Sequence, residues 1–257
     1  MLNFRNTNIL FIILLISLIG YNIIYHVHLS AYAILIFAYS LVLFYGCYYI
    51  GSNFFINVIC SAKTKEKEIA ISFDDGPATH YTTDILQILK ANNVKAAFFC
   101  IGSRVAGEEK IFERLHGEGH LIGNHSYSHH FWFDMFSSKK MLADLKMMDI
   151  VMEKTIGLQP KLFRPPYGVI NPNLRKAIVK GNYITVGWSV RSMDTVLGDE
   201  KKLLNKITKS LRPGAIFLFH DTSKITFAIL PNFIKYATRE GYKIVRLDKM
   251  LNLQAYA

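Results

Sequence analysis

Between Arg5 and Lys63 the chain carries no Asp, Glu, Lys or Arg for 57 consecutive positions. A spanning helix needs about 20 apolar residues to cross a hydrocarbon core of roughly 30 Å. Two segments meet that length, from about Ile9 to Tyr25 and from about Ser30 to Ile50. Tyrosines and histidines gather at their ends, as amphipathic rings do at a bilayer interface. The spacing predicts a transmembrane hairpin turning at His26-Val27-His28, so that 1–62 is a membrane anchor and 63–257 a separate catalytic domain. Two buried core helices would be the soluble alternative. A cleaved signal peptide is a second one, but its small-residue motif, Ala31-Tyr32-Ala33, falls inside the second apolar segment. Arg5 before the hairpin and Lys63, Lys65 and Lys67 after it put the positive charge on the domain's side, which points toward the cytoplasm.

Arg5 apart, the net charge of +11 belongs to the residues that follow the run. Only 19% of the chain is charged and 51% is hydrophobic, which excludes a disordered polymer and a coiled coil. Cys47, Cys60 and Cys100 are odd in number and lack metal-ligand spacing. They exclude a disulfide framework and read as buried thiols. Lys201, Lys202, Lys206 and Lys209 fall at helical spacing with no recognition module beside them. They read as a solvated or lipid-facing helix surface, and nucleic-acid binding is not expected.

From Lys67 onward, short apolar runs alternate with helical stretches. Strands are expected at Ile69–Phe73, Val94–Ile101, Leu121–Asn124, Lys161–Arg164, Tyr183–Ser189, Ala215–Phe219 and Lys243–Arg246. Helices are expected at Thr82–Asn93, Lys139–Ile156, Asn173–Lys180, Glu200–Leu211 and Leu230–Glu240. Continuous apolar strands separated by helices argue for a parallel α/β fold, either an open sheet or a barrel near the (β/α)8 type.

Ionisable groups sit where these strands end: Asp74 and Asp75, His125 and His129, Arg164, Asp194, and His220 with Asp221. The loops at the C-terminal edge of a parallel sheet face one shared cavity, so this grouping marks a site. Taken singly, each motif has a bland reading. Asp74-Asp75-Gly76-Pro77 has the composition of a plain turn. His125 and His129 at i and i+4 would share one face of a helical turn and suit one metal, although paired surface histidines are common. Arg164-Pro165-Pro166-Tyr167-Gly168 is a stiff extended loop that could hold a guanidinium against a carboxylate and aim a backbone N–H into the cavity. His220 is a core histidine or a proton donor. Two histidines and one aspartate together form a common catalytic zinc shell with open positions.

Ser72-Phe73-Asp74-Asp75-Gly76-Pro77, His125-Ser126-Tyr127-Ser128-His129, Arg164-Pro165-Pro166-Tyr167-Gly168 and Leu218-Phe219-His220 resemble, in order, motifs of the NodB-like polysaccharide deacetylases, carbohydrate esterase family four. The resemblance covers about residues 66 to 250 and implies a distorted (β/α)7 barrel. It implies that Asp75, His125 and His129 bind a divalent metal, usually zinc, and that Asp74 takes the proton of the attacking water. It further implies that Arg164 orients Asp74, that the Tyr167 N–H helps hold the oxyanion, and that His220, tuned by Asp194, protonates the departing amine. The stretch Trp188-Ser189-Val190-Arg191-Ser192-Met193-Asp194-Thr195 departs from the family's usual Trp-Ser-Val-Asp-Thr-x-Asp-Trp. Arg191 replaces the first aspartate and Thr195 the tryptophan lining the acetyl cavity.

The expected activity is therefore removal of N-acetyl groups from an N-acetylglucosamine-containing glycan, peptidoglycan or chitin-like, by a membrane-anchored hydrolase. A deacylase of a lipid-linked sugar is the alternative within the fold, and a catalytically silent carbohydrate-binding barrel the alternative outside enzymology. The resemblance favours a domain facing the cell envelope, against the charge bias. N- versus O-deacetylation and oligomeric state stay open at this level.

Overall fold

The computed structural model describes residues 3–257. Two apolar helices, α1 (Phe4–Ile24) and α2 (Leu29–Tyr48), precede the α/β unit. Both are long and apolar enough to cross a membrane, and only 6% of each apolar window is buried. They are therefore not core helices of the domain that follows. Tyr39 donates a hydrogen bond to Asn8 Oδ1 at 2.8 Å, and its ring stacks on Phe11 at 4.2 Å, which locks the two helices together.

The hairpin is docked rather than tethered. Phe54 lies over Gly46 of α2, where a Cβ would fall 2.3 Å from its ring, so only glycine admits the close approach. The Phe4 N–H donates to Phe54 O at 3.0 Å, and the Ile170 N–H of the α/β unit donates to Cys47 O at 3.1 Å. Ile50, Phe54, Phe55, Val58 and Ile170 form a small apolar cluster that Trp188 borders. The connecting segment continues into the sheet through bridges from Ile59 to Val186 and from Ser61 to Ala215.

The α/β unit is built on a curled parallel sheet. Its strands are β1 (Glu68–Asp74), β2 (Ala97–Cys100), β3 (Leu121–Asn124), β4 (Leu162–Phe163), β5 (Ile184–Thr185), β6 (Val190–Arg191), β7 (Ile216–His220) and β8 (Lys243–Ile244). Their order is β5-β4-β3-β2-β1-β7-β6, with β8 pairing β1. The remaining helices are α3 (Tyr81–Ala91), α4 (Glu109–Gly117), α5 (Ser138–Ile156), α6 (Pro172–Gly181), α7 (Glu200–Lys209), α8 (Lys224–Arg239) and α9 (Leu247–Leu251). Side chains alternate across each strand. Ile69, Ile71 and Phe73 of β1, with Phe217 and Phe219 of β7, pack in the core beneath the helices. Ala70, Ala97, Phe99, Leu121 and Ile216 fill the inner face. Ser72 and Asp74 share the parity of Ala70, and His220 that of Ile216, so the inner face ends in polar groups.

Several expectations shift. The segment expected as one strand over Tyr183–Ser189 is split into β5 and β6. Its middle carbonyls, Val186 O and Gly187 O, turn to a buried arginine instead of a neighbouring strand. β2 is shorter than Val94–Ile101, beginning at Ala97. α8 starts six residues before Leu230 and carries Pro231 in its interior. Burial of Thr226, Ile229, Leu230, Phe233 and Ile234 along one face outweighs the roughly 3 kcal/mol such a proline costs. The charged helix α4 has only a short apolar face, Ile111, Phe112 and Leu115, too little periodicity to predict it. Of the three cysteines Cys100 is buried, whereas Cys47 and Cys60 are only partly so.

Truncating Phe54 to Ala is expected to cost about 3–5 kcal/mol, because it empties the contact that joins hairpin to domain. Denaturant unfolding of the full chain in detergent measures this. Gly123→Ala is expected to cost about 1–3 kcal/mol by overpacking, since its Cβ would lie 2.6 Å from the Phe99 ring and 3.2 Å from Leu162 O. The midpoint of thermal unfolding reads that loss.

Candidate active site

Parallel register delivers the site. Asp74 pairs with Phe99 and with His220, and Asn124 with Cys100 and with Phe163. The residues that follow β3 and β4, His125 and Arg164, therefore emerge beside Asp74. A cavity of about 210 Å³ opens at this edge. Asp74, Asp75, His125, His129 and His220 all line it.

Arg164 is completely buried. Its Nη1 donates to Asp74 Oδ1 at 2.6 Å and to Ser72 Oγ at 2.9 Å. Nη2 donates to Gly187 O at 2.9 Å and Nε to Val186 O at 3.3 Å. The guanidinium lies 4.0 Å over the Phe99 ring. Burial draws the arginine's pKa down from its ordinary value, and the Asp74 carboxylate opposes that shift. The pair fixes one carboxylate oxygen, while Oδ2 stands 3.9 Å from His125 Nε2.

Asp75 has φ +76°, a conformation rare for a non-glycine residue, and the Arg104 guanidinium donates to its carbonyl. This turn swings its carboxylate toward the histidines. Asp75 Oδ1 lies 3.5 Å from His125 Nε2 and 3.4 Å from His129 Nε2. It is buried and has no hydrogen-bond partner. His125 Nδ1 is 2.8 Å from Arg164 O, a carbonyl that can only accept, so Nδ1 donates and Nε2 is the ring nitrogen left facing the site. Burial and the neighbouring His125 pull His129 down to about 4, which keeps its ring neutral. Three ligand atoms lie within 4.8 Å of one another. A buried carboxylate oxygen without a hydrogen bond, facing the Nε2 atoms of two imidazoles, is a donor set that fits a divalent cation.

The histidines do not lie on a helical turn, contrary to their i, i+4 spacing. They sit in a loop with Ser126 at φ +69° and His129 at φ +42°. Asp144 of α5 holds that loop by accepting the N–H groups of Tyr127 at 2.8 Å and Ser128 at 3.2 Å. Asn124 Oδ1 accepts from the Ser126 N–H at 2.8 Å. Nothing in local spacing marks Asp144 for this duty.

On the opposite wall, His220 Nδ1 lies 2.8 Å from Asp194 Oδ1, and its backbone N–H donates to Oδ2 at 2.7 Å. Ser192 and Thr226 donate further hydrogen bonds to Asp194. Burial alone would lower the imidazole, but the hydrogen bond and charge of Asp194 prevail and His220 is raised. Burial would likewise raise Asp194; its bonds to His220 and Thr226 hold it below the ordinary value. Asp221 turns away from the cavity. Fully buried against Gly76, it accepts from Thr82 Oγ1 at 2.7 Å, and burial pushes it up to about 7.

Tyr167 has φ +58° between Pro166 and Gly168. Its ring packs 4.7 Å from that of His129, and its hydroxyl donates to His129 O at 3.3 Å. Arg191 and Thr195 both line the cavity, with the Arg191 guanidinium 5.9 Å over Trp188.

Known proteins resemble this chain in sequence and in fold. A family model described as polysaccharide deacetylase matches residues 61–186. The peptidoglycan-N-acetylglucosamine deacetylase PgdA of Listeria monocytogenes is 33% identical over 79% of this chain, which spans 42% of that protein's length. The peptidoglycan-N-acetylmuramic acid deacetylase PdaA of Bacillus subtilis is 31% identical over 82% of this chain and 78% of its own. The crystal structure of the Bc1960 peptidoglycan N-acetylglucosamine deacetylase superposes with a TM-score of 0.74 at 29% identity, covering 78% of this chain and 95% of that one. With 78% of PdaA covered at 31% identity, the chain belongs to the polysaccharide deacetylase family.

Proposed function

We propose that this chain is a metal-dependent hydrolase that removes N-acetyl groups from an N-acetylglucosamine-containing glycan. In this reading 63–257 is the catalytic unit and 1–62 anchors it in a bilayer through α1 and α2. The observation that carries the reading is the unpartnered Asp75 Oδ1 between His125 Nε2 and His129 Nε2, with the arginine-locked Asp74 on one side and the aspartate-backed His220 on the other. The relatives named above deacetylate amino sugars of peptidoglycan, which supports an N-acetylated sugar as substrate.

Asp75, His125 and His129 would hold the divalent metal, and zinc suits two imidazoles and one carboxylate. When bound, such an ion supplies Lewis acidity to a water molecule and to the acetyl carbonyl. Asp74, held by Arg164, takes the proton of the water whose oxygen attacks the carbonyl carbon. The Tyr167 N–H, on a loop that lines the cavity, would hold the oxygen that gains negative charge. His220 then gives its proton to the amide nitrogen as the C–N bond breaks, releasing acetate and the free amine. Asp74 and His220 lie at paired positions of β1 and β7, which supports their serving one bond as base and acid.

His125→Ala is expected to abolish stoichiometric zinc binding in equilibrium dialysis and to lower acetate release from N-acetylglucosamine oligomers by about a hundredfold or more. Unchanged release would sink the metal-site reading. Asp194→Asn removes what raises His220, so the imidazole loses its proton at lower pH. The alkaline limb of the kcat profile should move to lower pH, with activity at pH 8 falling further than at pH 6. An unmoved limb would assign the acid elsewhere.

A further inference from the structure

A second and larger cavity, about 840 Å³, adjoins the active site and shares Tyr167, Gly168, Trp188 and Arg191 with it. Tyr48 and Tyr49, where α2 stops, line it but not the active-site cavity. Both rings are more than half exposed. Tyrosine at the end of an apolar helix marks the level of lipid headgroups. Lys63, Arg191 and Arg212 line the cavity, and among the described residues no carboxylate does. The domain thus presents a cationic trough that runs from the end of an apolar helix to the catalytic residues.

A second surface lies on the other side of Tyr167. Phe131, Trp132 and Met135 are exposed by 72%, 59% and 76% and surround a smaller cavity that Tyr167 also lines. This loop is tied to the hairpin end. Asn171 donates to Asp134 O at 2.7 Å, and the adjacent Ile170 donates to Cys47 O of α2. Apolar side chains beside the end of a membrane helix enter the interface rather than face water. Trough and loop therefore flank the catalytic mouth, and both border the end of α2.

The geometry points to a glycan carried on a lipid phosphate as the substrate class of this site. The phosphate rests among Lys63, Arg191 and Arg212, the lipid follows Tyr48 and Tyr49 toward α2, and the N-acetylated sugar passes Trp188 and Tyr167 to reach Asp74 and His220. Phosphate oxygens accept charge-assisted hydrogen bonds from all three cations. The hydroxyls of a neutral glycan could accept hydrogen bonds from these cations but would leave their charge unbalanced, which a phosphate does not. This assignment rests on the deacetylase reading and specifies its substrate.

The test uses the zinc-loaded full chain in phosphatidylcholine nanodiscs and compares it with a Lys63→Ala/Arg212→Ala variant. Two substrates are offered: polyprenyl-phosphate-linked N-acetylglucosamine and a soluble N-acetylglucosamine oligomer. Loss of each cation should lower kcat/KM on the lipid-linked substrate on the order of tenfold, with oligomer turnover within about twofold of the native chain. Soluble N-acetylglucosamine 1-phosphate should bind the native chain in calorimetry and bind the variant more weakly. Equal effects of the variant on both substrates overturn the assignment. So does inhibition by phosphatidylglycerol that needs Lys63 and Arg212 while the lipid-linked sugar gains nothing over the oligomer, which would make the trough a bulk-lipid site. Cation-dependent binding of the sugar phosphate without acetate release from either substrate would uphold the trough and overturn the deacetylase reading instead.

Discussion

The organising interaction of this protein is the ion pair between Arg164 and Asp74. A guanidinium without solvent contact must have its donors met by protein, because an unpaired buried charge is costly. Here the partners come from three places in the chain: Ser72 and Asp74 on β1, Val186 and Gly187 between β5 and β6, and the Phe99 face on β2. Satisfying one arginine thus fixes the curl of the inner face, interrupts the fifth expected strand, and clamps a carboxylate at the mouth of the site. The same residue's carbonyl orients the His125 ring. One residue, through its guanidinium and its carbonyl, therefore couples the fold to the proposed base Asp74 and the proposed ligand His125, and breaking the ion pair would leave an uncompensated charge in the interior.

Much of this is legible in the sequence, for identifiable reasons. Parallel strands are near-continuous apolar runs, and their C-terminal ends collect chemistry, so Asp74, Asp75, His125, Arg164 and His220 stand out by their place in the pattern alone. The charge-free run likewise announces two exposed apolar helices. Less legible is everything decided by distant partners. Asp144 supports the histidine loop from α5, Ser192 and Thr226 complete the shell of Asp194, and the split between β5 and β6 depends on an arginine some twenty residues earlier. The helical spacing of His125 and His129 misleads, because two positive-φ residues hold them in a loop that reaches the same convergence by another route. Pro231 inside α8 shows burial of an amphipathic face overriding a local helix breaker.

Asp221 illustrates how the site separates two neighbouring carboxylates by environment. Asp194 is held ionised by an imidazole and two hydroxyls, whereas Asp221, with one hydroxyl partner and complete burial, sits near neutrality in pKa. Adjacent to His220 in sequence, it is removed from the cavity and packs behind the Asp75–Gly76 turn. Its place is consistent with supporting that turn rather than with proton transfer.

The docking of Phe54 into the notch at Gly46 leaves no swinging linker between the apolar hairpin and the catalytic mouth. With the hairpin in a bilayer, the mouth would stay at one height above the lipid surface. Encounters with substrate would then be governed by lateral diffusion in two dimensions, and the mouth would sample only a thin layer next to the bilayer.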